Sequence, residues 1–223
     1  MTDRFSSAPR PSYRVIPSRF PPISVFDSVA TTEDLEKVME LAGWTNDRLV
    51  PDRLARLDKA EWVFGQPNAS IVMAAFLYVP PGGMRFNSGD LEAWYEVDSV
   101  NTAVVEVAHH LRREAYARSM PGETRTYRTY QCELTGSYLD SRGEQAARTA
   151  LYDPTDYAAS QTFGEAVGAS DGDGILYDSL RNAGGVNAVV HRPRNVTGIV
   201  QTLHLEIAMT VASKVIQVWT LSA

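Results

Sequence analysis

The sequence is poor in the residues that build covalent or metal-held frameworks. A single cysteine, Cys132, stands among 223 residues. That excludes a disulfide scaffold, a cysteine-based zinc site and an iron–sulfur cluster, and it fits a reducing cytoplasm. Only four histidines occur. His109 and His110 are adjacent, so on a helix their side chains point about 100° apart and do not share a metal facially. His191 and His204 stand alone, and no metal is expected. Excess positive charge is also missing: 21 Lys and Arg face 27 Asp and Glu, for a net charge of -6. A generic nucleic-acid binder needs a basic stripe, so direct nucleic-acid binding is disfavoured. No apolar run reaches the roughly 18 residues that a membrane-spanning helix requires. The opening MTDRFSSAPRPSYR has no apolar stretch of the secretory kind. A cytoplasmic protein with no membrane partner is expected. Several common catalytic signatures are absent: GxGxxG after a strand, GxxxxGK[ST], HExxH and GxSxG.

What is present reads as one ordinary globular domain, with 44% apolar and 22% charged residues. Residues 1–12, rich in Ser, Pro and Arg, read as a flexible leader, and 13–223 as the domain. Tyr13 to Pro17 is a short strand stopped by proline. Thr31-Thr32-Glu33-Asp34 is a capped helix start, and Gly43 a stop. Ile71 to Tyr78 is a buried strand or a short buried helix, which periodicity alone does not separate. Leu91 to Val97 reads as a strand, followed by the caps Asp98 and Ser99. Val100, Val104, Val107, Ala108 and Leu111 mark the core stripe of a helix of about four turns. Thr126 to Leu134 is a strand, and Asp153-Pro154-Thr155-Asp156 a helix start. Gly174 to Tyr177, Val186 to His191 and Val215 to Thr220 are late strands, with Gly184-Gly185 a hairpin turn between the first two. Strands and helices mix without regular alternation, which favours α+β.

One segment concentrates chemistry. Gly83-Met84-Arg85-Phe86-Asn87-Ser88 precedes the strand that carries Trp94-Tyr95, and Glu106 follows on the next helix. Glu106 lies between Val104-Val105 and Val107-Ala108, near the apolar flank. A carboxylate there is costly unless it is paired or used. Pairing with His110 or Arg113 on the same helix is the alternative to a functional role.

Tyr13-Arg14, the Met84–Ser88 turn, Trp94-Tyr95 and Ala103-Val104-Val105-Glu106-Val107 together resemble the core of the RES-domain family. That family carries a YR near its start, a GGRWN turn, a Tyr ending a strand and a Glu eleven residues later. Tyr95 and Glu106 have that separation. Asp156 to Gly164 resembles the family's Ser/Gln helix. Gly174 to Arg181, Gly184-Gly185 and His191-Arg192-Pro193 resemble its closing strands. The resemblance runs over residues 13–195. This sequence departs in its turn, GGMRF with Phe86 for Trp, and in a longer 18–77 segment that reads as an insertion covering the pocket or offering a docking surface. The tail from Val200 has no counterpart.

The resemblance implies an α+β fold like that of ADP-ribosyltransferase toxins, with mixed and antiparallel sheets and flanking helices. It implies NAD as substrate, cleaved at the nicotinamide–ribose bond by phosphorolysis, with inorganic phosphate as co-substrate, or by hydrolysis. Transfer of ADP-ribose to a protein is the alternative activity. A catalytically silent NAD- or partner-binding module is the alternative of another class. It further implies the toxin half of a toxin–antitoxin pair, partnered by a helix-turn-helix (Xre-like) antitoxin. Cleaving that bond releases a neutral leaving group and leaves an oxocarbenium-like sugar. Glu106 suits the developing cation. Arg14 and Arg85 suit the diphosphate or phosphate, and Tyr95 suits stacking on nicotinamide. Ser160 is the first-choice hydroxyl for the ribose or acceptor, and Ser179 the second. Cys132 reads as a bystander.

Overall fold

The computed structural model describes residues 4–20, 24–43, 56–170 and 172–222. Among the described residues nine strands form one sheet: β1 (Phe5–Ser6), β2 (Ser12–Pro17), β3 (Trp94–Val97), β4 (Gly122–Leu134), β5 (Tyr138–Asp140), β6 (Gly174–Asp178), β7 (Val186–Val190), β8 (Val196–Thr210) and β9 (Ile216–Thr220). Their spatial order is β1-β5-β6-β7-β3-β2-β4-β8-β9. All neighbours are antiparallel except β5 and β6. The α-helices among the described residues are α1 (Thr32–Gly43), α2 (Ala69–Leu77), α3 (Val100–Ala117) and α4 (Ala158–Ala169). The α+β class expected from the sequence is the class observed.

Strand alternation sorts the core onto two faces. Trp94, Tyr130, Leu176, Ala188 and Val190 point to one face and pack with Met73 and Phe76 of α2. On the other face, Ile175, Tyr177 and Val189 pack with Val167 of α4 and with Phe86. Farther along that same face, Tyr127, Leu205 and Ile207 meet Val104 and Ala108 of α3. α3 starts at Ser99, whose hydroxyl accepts from the Thr102 N–H at 3.2 Å.

The strand order has one weak seam. β2 pairs with β4 over six residues, from Ser12↔Cys132 to Pro17↔Tyr127. Its pairing with β3 is confined to Tyr13↔Val97. Beyond that pair the two strands part, and the sheet opens in its middle.

Several sequence expectations are corrected here. Residues 4–12 are not a free leader: Phe5 and Ser6 pair with Leu139 and Tyr138, and the Ser6 hydroxyl donates to Asp140 at 2.8 Å. The Ile71–Tyr78 run is helical. Asp27 accepts from the Ser70 and Asn68 N–H groups at 2.8 and 3.0 Å, satisfying donors in and just before the first turn of α2. Apolar side chains surround this helix, so no amphipathic period marks it. Asp153 does not start α4. Its Oδ1 accepts from Thr155 N and Asp156 N at 2.8 and 2.7 Å, which ties a turn, and the helix begins at Ala158. Gly184-Gly185 belongs to a loop over residues 179–185 rather than a two-residue turn. β8 was not foreseen at all. Helix α1 begins after Thr31, as its capping pattern predicts, while Trp44 lies outside the described residues. No helix among the described residues is long and apolar enough to cross a membrane.

Candidate active site

Where β2 and β3 part, the fold leaves a cavity of ≈ 390 Å³, within the size range of small-molecule sites. Residues from both faces of the sheet line it. Tyr95, Glu106 and Arg85 contribute from one side, Arg14 and Glu96 from the other. Arg14 bridges the seam. Its Nη1 donates to the Tyr95 carbonyl at 3.0 Å, a bond that the missing strand pairing leaves available. Its guanidinium also stacks over the Trp94 ring at 4.2 Å. Burial lowers the Arg14 pKa to about 10, opposed by nearby Glu96, so the side chain stays charged at neutral pH.

The glycine-led turn aims Arg85 inward. Gly83 has φ +65, and a Cβ there would lie 2.1 Å from the Asn87 carbonyl, so only glycine closes the turn. The Met84 N–H donates to that carbonyl at 2.8 Å. Arg85 is buried. Its Nη1 donates to the Leu151 and Asp153 carbonyls at 3.0 and 2.7 Å, and the guanidinium stacks over Tyr157 at 4.6 Å. One guanidinium nitrogen therefore holds the 151–153 loop while the residue lines the cavity. The Tyr95 hydroxyl donates to Asn87 Oδ1 at 2.7 Å and accepts from Phe86 N–H at 3.0 Å. The ring is fixed by its far end, and burial raises its pKa.

Glu106 stands on α3 with its carboxylate turned off the helix. Oε1 accepts from Ser179 Oγ at 2.6 Å and from Asn187 Nδ2 at 3.0 Å. These two donors, one in the loop after β6 and one on β7, take the place of the same-helix pairing to His110 or Arg113. Ser179 is itself pinned, accepting from the Arg181 and Asn182 N–H groups at 3.1 and 3.0 Å. Ser179→Ala should lower turnover at this site by about tenfold or more, by loosening the carboxylate rather than removing it. Steady-state kinetics on a folded variant checks this, and unchanged kcat would deny Ser179 its positioning role.

The two serines thus exchange rank. Ser160 is fully buried, donates to the Tyr157 carbonyl at 3.0 Å and does not line the cavity. Its neighbour Gln161 acts on the turn instead, donating through Nε2 to the Gly82 and Met84 carbonyls at 2.9 and 3.0 Å. Gln161, Asn187, Tyr157 and Arg181 were missed from sequence. Asn187 carried a signal, since it is a lone amide inside the apolar run Val186–Val190. His109 and His110 line the rim of the cavity, with ring centroids 5.5 Å apart. Burial, then the nearby Arg181 charge, pushes His109 down to about 4, so it is neutral at pH 7. No cluster of three or more potential metal ligands occurs among the described residues.

The chain matches the RES domain over residues 53–210, and it belongs to that family. The match begins within the segment that reads as an insertion and extends past Val200, so β8 is part of the family domain. Arg14 lies before the matched span, yet the fold delivers it to the cavity. A relative from Sinorhizobium fredii (strain NBRC 101917 / NGR234), named uncharacterized protein y4oC, is 26% identical over 199 residues, covering 86% of this chain and 80% of the relative. The crystal structure of the M. tuberculosis MbcT–MbcA toxin–antitoxin complex aligns at 18% identity with a TM-score of 0.47, covering 93% of this chain and 88% of that one.

Proposed function

We propose that this cavity binds NAD and cleaves its nicotinamide–ribose bond, with phosphate as the acceptor in a phosphorolysis that yields ADP-ribose-1-phosphate and nicotinamide. The observation that carries the reading is the Glu106 carboxylate, held by Ser179 and Asn187 at the wall of a cavity that Arg14 and Arg85 also line. A fixed negative charge favours the oxocarbenium-like sugar that forms as nicotinamide leaves. The leaving group departs neutral and needs no external acid. The Tyr95 ring, clamped through its hydroxyl, offers a flat apolar surface for nicotinamide. Arg14 supplies a half-buried, permanently charged donor for diphosphate oxygens. Ser160 acts by packing in this scheme, and Ser179 positions the carboxylate.

Membership of the RES-domain family supports a cellular role as the toxin of a toxin–antitoxin pair, with a helix-turn-helix antitoxin as partner. The test is to incubate the protein with NAD, with and without inorganic phosphate, and to weigh the products. ADP-ribose-1-phosphate that appears only with phosphate is the expected result. Free ADP-ribose in both incubations would assign hydrolysis instead, and one ADP-ribose added to a protein would assign transfer. Intact NAD would overturn the enzyme reading. Induced expression in bacteria should arrest growth, and unimpeded growth alongside NAD cleavage would remove the toxin role alone.

A further inference from the structure

Two carboxylates line the cavity, Glu106 and Glu96, and the mechanism above gives Glu96 no task. Glu96 follows Tyr95 on β3 and is 2% exposed. Both of its carboxylate oxygens lie 2.8 Å from Cys132 Sγ on β4, and Cys132 is itself 1% exposed. A thiol is a weak donor and leaves most of the desolvation cost of a buried carboxylate uncompensated. The nearby cation is Arg14 on β2, which acts on Glu96 through space. Arg14 in turn donates to the Tyr95 carbonyl and stacks on Trp94. Other ionisable groups around Glu96 are few. Tyr138 of β5 lies within electrostatic reach, β7 presents Ala188 opposite it, and α2 carries no ionisable side chain. Glu96 and an anionic ligand in the cavity therefore draw on the same guanidinium.

We propose that Glu96 is a positioning residue that couples anion binding at Arg14 to the uptake of one proton. This rests on the reading of the cavity as an NAD site, and it assigns the phosphoanhydride of the dinucleotide to the Arg14 end. With Glu96 ionised, the carboxylate holds the field of Arg14 and repels the diphosphate. With Glu96 neutral, Arg14 is released to the ligand. The proton comes from solvent, neutralises the carboxylate and stays on Glu96 while the anion is bound; no covalent bond to the ligand forms. Burial pushes the carboxyl up to about 7, against the Cys132 hydrogen bond, the Trp94 indole N–H and the Arg14 charge. The exchange thus falls in the physiological range, and the loss of binding comes on the alkaline side, because the binding-competent form is the protonated one.

Calorimetric titration of NAD into the phosphate-free wild-type protein at about pH 6 and about pH 8, in two buffers of different ionisation enthalpy, tests this. Affinity should fall about tenfold from the lower to the higher pH, with little proton uptake at about pH 6 and about one proton taken up at about pH 8. Glu96→Gln should bind equally at both pH values and take up no proton. Binding by the wild type without proton uptake, or the same pH dependence in Glu96→Gln, overturns the proposal. A parallel titration with inorganic pyrophosphate separates it from the reading of the site. Proton uptake with pyrophosphate beyond that seen in Glu96→Gln, without NAD binding, would remove NAD and leave the coupling, the variant subtracting the ligand's own titration. Silence with both ligands would remove both. Should Glu96→Gln fail to fold, Cys132→Ala gives the second arm: losing the thiol donor moves the midpoint of the pH dependence upward, and an unmoved midpoint counts against the coupling.

Discussion

Glu106→Ala protein should retain the parental fold and lose NAD turnover by about a thousandfold or more, the scale set by removing a preorganised electrostatic group. The carboxylate is not part of the hydrophobic stripe of α3, which runs through Val104, Ala108, Leu111 and Ala115. Alanine is a good helix former there. The loss of its two hydrogen bonds leaves Ser179 Oγ and Asn187 Nδ2 to find other partners, at a cost of about 1–3 kcal/mol. Glu106→Gln separates charge from shape. The amide oxygen accepts from the same two donors, and the negative charge is gone. If charge on the sugar is what Glu106 stabilises, the glutamine protein is as inactive as the alanine one. The measurement is NAD loss by chromatography, with circular dichroism as the check on folding. Turnover at the parental rate in either folded variant removes Glu106 from the chemistry.

Gly164→Ala is expected to destabilise the protein by about 3 kcal/mol or more. Here α4 crosses the Met84–Asn87 turn at closest approach, and a Cβ on Gly164 would sit 1.8 Å from the Phe86 carbonyl oxygen and 2.6 Å from its carbon. The obstacle is backbone, which no rotamer change relieves. The turn has little room to retreat: the Gln161 amide holds its Gly82 and Met84 carbonyls, and Phe86 N–H is bonded to the Tyr95 hydroxyl. If the chain does fold, helix and turn separate, and Arg85 and Tyr95 move with the turn. NAD affinity then falls together with stability. Gly82→Ala is the control, because nothing lies within 4 Å of a Cβ at that position and its φ is ordinary. Urea denaturation of the two variants checks the difference, and equal midpoints would show that the close approach carries no weight.

These two predictions draw on different kinds of legibility. α3 could be read from its sequence, because a local period of apolar residues and the Ser99 cap act within one helix, and Glu106 stood out as a carboxylate beside that stripe. The Gly83 turn was legible as well, through its likeness to the family's GGRWN turn, and glycine is required there because φ is +65 and a Cβ would lie 2.1 Å from the Asn87 carbonyl. The resemblance carried by these motifs named the family that the match over residues 53–210 shows. α2 was ambiguous, because a segment buried on most sides loses its period. β8 was passed over even though Leu205, Ile207 and Met209 alternate toward α3.

Local pattern was enough for the class of fold, for elements with a clear period such as α3, and for Arg14, Arg85, Tyr95 and Glu106, which line the cavity. Which groups meet there, and how, is a matter of tertiary structure. Arg14 reaches the Tyr95 carbonyl across 81 positions of chain because β2 and β3 pair at one residue and then diverge. Ser179 rather than Ser160 holds Glu106, a contact spanning 73 positions. Glu96, which no motif marked, lies in the same wall against the only cysteine. Propensity and periodicity act over a few residues, whereas a site assembled at a seam in a sheet depends on which strands pair and where the pairing stops.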